Sequence, residues 1–210
     1  MRAVGRIKRL EEKIEACRLC VEDPLGSPLP HEPRPVVRLS DTARICIAGQ
    51  APGMRVHKTG IPFNDPSGDR LRDWMGVDRE TFYDRNRIAI VPMGFCFPGY
   101  DQKGGDLPPR RECQATWHDQ IFQKMPQLEL VLVIGQYAQR YHLGAQRQKT
   151  LTATVAAAME HWRYPQTPKR IPLPHPSWRN TGWLKRNSWF EQNVLPFLKQ
   201  QVQTLLAIEE

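Results

Sequence analysis

The chain has 210 residues, of which 40% are apolar and 25% charged. This is the composition of an ordinary globular protein that is large enough to bury a core, and we expect a single domain over residues 1–210 that acts as a monomer. No apolar run approaches a membrane span and the first residues lack a secretory signal, so we expect a cytoplasmic protein without membrane association. The net charge of +8 is compatible with an anionic partner but does not by itself establish one.

The predicted elements alternate between helices and strands. In chain order they are a helix over residues 2–20, a proline-rich connector over 24–35, a strand over 43–48, a helix over 66–76, a short helix over 80–83, a strand over 87–93, a helix over 109–125, a strand over 128–134, helices over 135–141 and 151–162, a strand over 171–173 and a helix over 188–206. This alternation predicts an α/β fold, a three-layer αβα sandwich with a central, mostly parallel four-stranded sheet.

The first predicted strand runs into a glycine-containing turn, GQAPG. Its residues are Gly49, Gln50, Ala51, Pro52 and Gly53. Ligands of open parallel sheets bind at the carboxyl ends of strands, so this turn is a candidate ligand site. Neither GxGxxG nor GK[ST] is present, which excludes a dinucleotide fingerprint and a P-loop. An ordinary strand-to-loop transition is the alternative interpretation.

Four of the five cysteines lie in predicted loops or at helix ends. Cys17 and Cys20 form a CxxC pair, Cys96 follows the second strand, and Cys113 lies near the start of the next helix. Four thiolates from three segments can hold a metal centre, and the alternative is four unrelated reduced thiols. The spacing does not separate zinc from an iron–sulfur cluster. Cys46 lies inside the first strand and is interpreted as a small buried hydrophobe.

Read together, these motifs resemble the iron–sulfur branch of the uracil-DNA glycosylase superfamily. Besides the cysteines and GQAPG, the resemblance rests on KTGIPF at residues 58–63, CFP at 96–98 and HPS at 175–177, in matching order over about residues 14–200. It implies a 4Fe-4S cluster on the four cysteines, with zinc the less favoured alternative, that ties the N-terminal segment 1–35 to the rest of the domain. It also implies a nucleoid-associated DNA glycosylase of base excision repair, which hydrolyses the N-glycosidic bond of uracil or a related deaminated base in DNA.

The resemblance assigns roles to residues of both motif loops. His175 would hydrogen-bond the carbonyl on which the charge of the leaving base develops, and the backbone amides of Gln50 and Ala51 would add donors. Phe63 would stack on the flipped base, and the other three residues of GQAPG would line the base pocket. A core aromatic for Phe63 and a structural loop histidine for His175 are the alternatives.

The chain departs from that branch at two positions. Gln50 stands where the branch has Glu, and Pro92 or Met93 stands where the branch has an Asn that reads the base. Glutamine cannot act as a base at neutral pH, so Asp65 and His57 are the candidates to act on water. A helix-start turn for Asp65 and a surface position for His57 are the alternatives. The departures also leave open a catalytically silent nucleic-acid-binding protein of the same fold.

The segment over residues 178–187 mixes basic and aromatic residues and, by the resemblance, is a loop that contacts DNA. The polar and basic side chains suited to phosphate contacts are Ser177, Arg179, Asn180, Lys185 and Arg186. A solvated basic helix start with one packed tryptophan is the alternative. We expect residues 49–63 and 175–187 to form opposite walls of one pocket.

Overall fold

The computed structural model describes residues 4–207 of the chain. Its four strands are β1 Ile45–Ala48, β2 Ile88–Ile90, β3 Leu130–Ile134 and β4 Lys169–Leu173. They form one sheet in the order β2-β1-β3-β4, and each neighbouring pair is parallel. The predicted α/β architecture with a parallel four-stranded sheet is therefore confirmed.

Helices connect the strands and cover the sheet. The α-helices are α1 Val4–Glu15, α2 Leu19–Glu22, α3 Met54–Thr59, α4 Pro66–Met75, α5 Arg79–Tyr83, α6 Arg111–Cys113, α7 Asp119–Gln123, α8 Gly135–Leu143, α9 Leu151–Ala156, α10 Ala158–Arg163, α11 Thr181–Arg186 and α12 Leu195–Leu206. Two π-helical turns, Gln114–His118 and Phe190–Val194, and two 3-10 turns, Gly144–Gln146 and Trp178–Asn180, complete the elements. No helix between residues 4 and 207 has the length and apolar character needed to cross a membrane.

Side chains of the strands alternate between two cores, because successive residues of a strand point to opposite faces of the sheet. Ile45 and Ile47 belong to a core that includes residues of α4, α5, α9, α10, α11 and α12. Cys46 and Ala48 belong to the opposite core. Cys46 is fully buried, which confirms its interpretation as a small core residue. The sheet is thus the middle layer of three.

The N-terminal helix α1 packs on the second face of the sheet. Its apolar stripe of Ile7, Leu10 and Ile14 is buried in the same core as Cys46. An ion pair between Arg85 Nη1 and Glu11 Oε1, 3.0 Å long, adds a contact at the edge. Apolar packing therefore holds α1 on the sheet.

Three differences between the structure and the predicted elements bear on the site. Strand β2 spans Ile88–Ile90 and is shorter than expected, although the N–H groups of Val91 and Met93 still donate to the carbonyls of Ile47 and Gly49. Helix α3 follows the GQAPG turn directly, in a stretch that carries no predicted element. The predicted DNA-contacting loop over residues 178–187 consists of a 3-10 turn followed by α11, which agrees with the helix-start alternative.

Candidate active site

A cavity of about 100 Å³ lies where the carboxyl ends of β1, β2 and β4 meet. We call it the central cavity, and its lining residues are Val36, Gly49, Gln50, Ala51, Pro52, Gly53, Val56, Pro62, Phe63, Asp65, Ser67, Ile90, Pro92, Asp106 and His175. The turn after β1, the segment up to residue 67 and the loop after β4 therefore converge in one place. This is the position at which open parallel sheets bind ligands.

The GQAPG turn is fixed by the loop that follows β2. The carbonyl oxygens of Gly49 and Gln50 accept hydrogen bonds from the N–H groups of Met93 and Gly94, at 3.0 and 2.9 Å. The Gln50 side chain packs against Gly135 at the start of α8, where a Cβ would lie 3.0 Å from Gln50 Cδ. The N–H groups of Gln50 and Ala51 have no hydrogen-bond partner between residues 4 and 207. They remain available as donors to a ligand.

Phe63 is held in a strained backbone conformation at the wall of the cavity. Its φ of 53° lies in the left-handed region, which costs free energy in a residue other than glycine. The ring lies over Gly49, where a Cβ would be 3.4 Å from Phe63 Cζ, and packs edge-on against Phe82. Gly68 permits this arrangement, because a Cβ there would lie 1.8 Å from the Phe63 carbonyl oxygen. The aromatic face is thereby fixed in position.

Asp65 combines a structural role with a position in the cavity. Its Oδ1 accepts hydrogen bonds from the N–H of Ser67 at 2.9 Å and the N–H of Gly68 at 3.1 Å, and also from the Ser67 hydroxyl. It is the N-cap of α4, as the helix-start interpretation predicts. The same carboxylate lines the cavity. The cap bonds therefore fix the position of this carboxylate at the cavity wall.

The tautomer of His175 is set by its own loop. The N–H of Ser177 donates to His175 Nδ1 at 3.2 Å, and the Asn180 side chain donates to the His175 carbonyl oxygen at 2.7 Å. Burial lowers the pKa of His175, an effect that the Asp65 carboxylate opposes. A neutral ring that accepts at Nδ1 carries its proton on Nε2. The ring therefore presents an Nε2–H donor.

Asp106 also lines the central cavity, although the sequence analysis does not identify it. It belongs to a small hairpin in which Tyr100 and Asp106 form an antiparallel bridge. A Cβ on Gly53 would lie 3.9 Å from Asp106 Oδ2. Burial raises the pKa of Asp106, Arg179 opposes this, and the carboxylates of Asp101 and Asp65 add to it. The glycines around residues 104–105 could have indicated a hairpin, but no spacing relates it to the other motifs.

The central cavity opens into a wider groove of about 870 Å³, which we call the outer groove. The two share Gly53, Asp65, Ser67, Asp106 and His175. The cations on the outer groove are Arg55, Lys58 and Arg179, and its exposed aromatic residues are Trp178 and Tyr100. Ser177, a predicted DNA-contacting residue like Arg179, lies on its wall. Positive charge beside aromatic faces suits a nucleic-acid strand.

The structure separates the other predicted site residues from these two spaces. Lys185 and Arg186 are exposed on α11 and do not line the outer groove. His57 lies on α3 with its ring 4.5 Å from that of His31 and 6.1 Å from that of Phe97, and it lines neither space. Burial lowers the pKa of His57, with contributions from the charges of neighbouring residues.

Cys17, Cys20, Cys96 and Cys113 influence one another's titration, and we call these four residues the cysteine region. The hydrogen bond with the Cys113 thiol lowers the pKa of Cys20 to about 7 and raises that of Cys113. Burial raises the pKa of Cys96 to about 12, and the charges of Cys20 and Cys17 add to this shift. The Phe95 N–H donates to Cys113 Sγ at 3.3 Å.

Among residues 4–207, no three His, Cys, Asp or Glu side chains are arranged to hold a metal ion.

A comparison with protein families matches residues 37–199 to the Uracil DNA glycosylase superfamily. The matched range covers more than three quarters of the chain. It includes every residue that lines the central cavity except Val36, together with Cys96 and Cys113. Cys17 and Cys20 precede it.

Proposed function

The chain belongs to the uracil-DNA glycosylase superfamily, and on that premise we propose that it hydrolyses the N-glycosidic bond of uracil, or of a related deaminated base, in DNA during base excision repair. The observation that supports this most directly is the placement of His175. Its Nε2–H, Phe63 and Asp65 belong to the walls of one small cavity, which is the arrangement that such a reaction needs.

The outer groove is suited to the DNA strand. A base inside a duplex is out of reach of an enzyme, so the nucleotide must leave the stack to enter the central cavity. Arg55, Lys58 and Arg179 would contact phosphates along the groove, and Ser177 would contact the same backbone. Trp178, with 73% of its surface exposed, offers a face to stack on bases beside the vacated position.

Inside the cavity, the protein would stabilise the charge that develops on the departing base. His175 Nε2–H would donate to its carbonyl oxygen, and the free N–H groups of Gln50 and Ala51 would add donors. Phe63 would stack on the base, a contact worth about 1–3 kcal/mol. Donors fixed before the reaction cost no reorganisation when the bond breaks.

Asp65 supplies the carboxylate that Gln50 cannot. Its charge would stabilise the positive charge that develops on the sugar, and the Gln50 amide can hold a water molecule without taking its proton. Pro92, where a base-reading Asn would stand, offers no hydrogen bond from its side chain. Backbone groups would then read the base, which is why we propose uracil or another deaminated base as the substrate class.

The resemblance implies a 4Fe-4S cluster on the cysteine region, although no three of the described side chains are arranged to hold a single metal ion. Cys17, Cys20, Cys96 and Cys113 would hold it, and the N–H of Phe95 donates to one of these sulfurs, as is usual around cluster ligands. Such a cluster, when bound, supplies structural cross-links between the segments that carry its ligands. Absorbance in the visible range distinguishes it from zinc, which is colourless.

The decisive experiment incubates the purified protein with single- and double-stranded oligonucleotides that contain uracil, hypoxanthine or xanthine, and measures abasic sites. We expect product from at least one of these substrates. Binding that weakens steeply with salt but yields no product from any of them would overturn the proposal and identify a silent DNA-binding protein.

A further inference from the structure

We propose that Asp106 is the general base of this reaction, the group that accepts a proton from the attacking water. The inference rests on the proposed glycosylase function and assigns a residue that none of the sequence motifs contains. It depends on the contrast between two carboxylates, Asp65 and Asp106, that line the same cavity.

The hairpin that carries Asp106 is braced by its own turn. The Asp101 carboxylate accepts hydrogen bonds from the N–H groups of Lys103 and Gly105, both 2.8 Å long. The N–H of Asp101 also donates to the Gly105 carbonyl oxygen at 2.7 Å. Tyr100, the bridge partner of Asp106, packs against Phe97 with ring centroids 4.9 Å apart. The backbone therefore aims Asp106 at the cavity without help from its side chain.

The carboxylates of Asp65 and Asp106 differ in how many donors they meet. Asp65 accepts three hydrogen bonds through Oδ1, which commit that oxygen to the cap of α4. The Asp106 carboxylate accepts none from the described residues. The Asp106 side chain stays in contact with solvent at the mouth of the cavity. Because no described donor occupies its carboxylate oxygens, they can bind a water molecule and accept its proton.

The charges around Asp106 come from four directions. The 3-10 turn after β4 contributes Arg179, the hairpin contributes Asp101, and the N-terminus of α4 contributes Asp65. Helix α3 contributes Arg55 and Lys58 on the outer groove. His175, the other titratable side chain of the cavity, stays neutral because burial lowers its pKa. Burial also raises the pKa of Asp106, which moves it closer to the pH at which it must work.

The step balances without a further reactant. The bond between the sugar C1′ and the base nitrogen breaks, and its electron pair leaves with the base. The His175 Nε2–H donates a hydrogen bond to the base carbonyl on which this negative charge develops. The water oxygen forms the new bond to C1′ and its proton moves to the Asp106 carboxylate. The products are a free base and an abasic sugar that carries a hydroxyl group at C1′.

The test compares single-turnover base release by three proteins on the best substrate of the wild type. Asp106→Asn should lower the rate at neutral pH by about 100-fold or more. Lys103→Gln is the matched control, because it removes a charge from the same hairpin at an exposed side chain that lines neither the central cavity nor the outer groove. Its rate should change by less than about fivefold, as for an exposed charge. Thermal unfolding of each variant verifies its fold.

Two further measurements separate proton transfer from a structural role. The wild-type rate should fall as the pH drops through the pKa of Asp106, because only the ionised carboxylate accepts a proton, and the Asn variant should lose this acid limb. Added formate should restore part of the activity of Asp106→Ala, since Asp106 lies at an open mouth that a small carboxylate can enter. Restored turnover in formate would support the proposal even if the Ala variant is less stable.

The outcomes that overturn the proposal differ from those that overturn the proposed function. An Asp106→Asn rate within about fivefold of the wild type, or a slow rate with an unchanged acid limb and no formate response, would remove this role while base release by the wild type stands. A wild type that releases none of the bases would remove both.

Discussion

The central cavity and the cysteine region are built in different ways, although the loop after β2 contributes to both. Backbone hydrogen bonds place the cavity walls, for example the bond from the Met93 N–H to the Gly49 carbonyl and the bond from the Gly94 N–H to the Gln50 carbonyl. The cysteine region combines side chains from three segments, of which Cys20, Cys96 and Cys113 are buried. A reactive side chain of the cavity can therefore be removed with its scaffold intact, whereas removal of a cysteine such as Cys96 should loosen the fold.

The largest effect is expected from His175→Ala. Loss of a fixed donor to the departing base should lower single-turnover base release by about 10²- to 10³-fold, with DNA affinity and thermal stability nearly unchanged. His57→Ala, which changes a histidine outside the cavity, should have a much smaller effect on rate. Equal losses in both variants, or an active His175→Ala protein, would contradict the role of the Nε2–H donor.

A substitution in the cysteine region should give the opposite pattern. Cys96→Ala should remove the visible absorbance of the purified protein and lower the free energy of unfolding by about 2–4 kcal/mol, because the loops lose a cross-link. The matched control is Cys46→Ala, which also removes a buried thiol but should keep the absorbance and cost about 1 kcal/mol. The absorption spectrum and urea unfolding measure these effects. Retained colour in the Cys96 variant would contradict its role as a ligand.

Gly68→Ala tests whether the cavity depends on the strained backbone of Phe63. The added Cβ would lie 1.8 Å from the Phe63 carbonyl oxygen, so the free energy of unfolding should fall by about 1–3 kcal/mol and base release should slow. Gly26→Ala is the control, because nothing lies within 4 Å of a Cβ there. Urea unfolding and single-turnover kinetics are the measurements. A fully stable and active Gly68 variant would show that Phe63 needs no fixed position.

The smallest effect is expected from Arg179→Ala on the outer groove. Loss of one phosphate contact should weaken binding of all DNA sequences alike and reduce the slope of log affinity against log salt by about 1. Arg6→Ala on α1 is the control, since Arg6 is exposed and does not line the groove. Fluorescence anisotropy at several salt concentrations measures the slope. Equal slopes for wild type and Arg179→Ala would place the DNA elsewhere.

The sequence predicted the sheet well, because buried parallel strands leave continuous apolar runs. Strands β1 and β3 followed from such runs. Helix α4 was predicted from the residues at its two ends. Asp65 caps its N-terminus, and Gly76 at its C-cap adopts a positive φ of 68°. Helix α3 was missed because its six residues carry too few apolar side chains to show a helical period.

The part of the candidate site that consists of sequence motifs, in which the residues are neighbours along the chain, was predictable. The motifs placed Gly49, Phe63 and His175 in a single cavity before the topology was known, because each lies in or near a loop that follows a strand. Asp106 could not be found in this way, since its position depends on how a hairpin folds back over the turn at Gly53. The position of His57 outside the cavity could not be predicted either, because the rotation of α3 about its axis decides which of its side chains face the cavity.

The hairpin that carries Tyr100 and Asp106 has a consequence for how the enzyme could be altered. Its ends are joined by a hydrogen bond from the Leu107 N–H to the Gly99 carbonyl oxygen, 2.9 Å long, so the segment between them can be exchanged as a cassette. Hairpins that keep Asp106 and differ in the residues before it, grafted at these two points, would change the mouth of the pocket without touching the sheet. The shape of the site and its scaffold could then be altered separately.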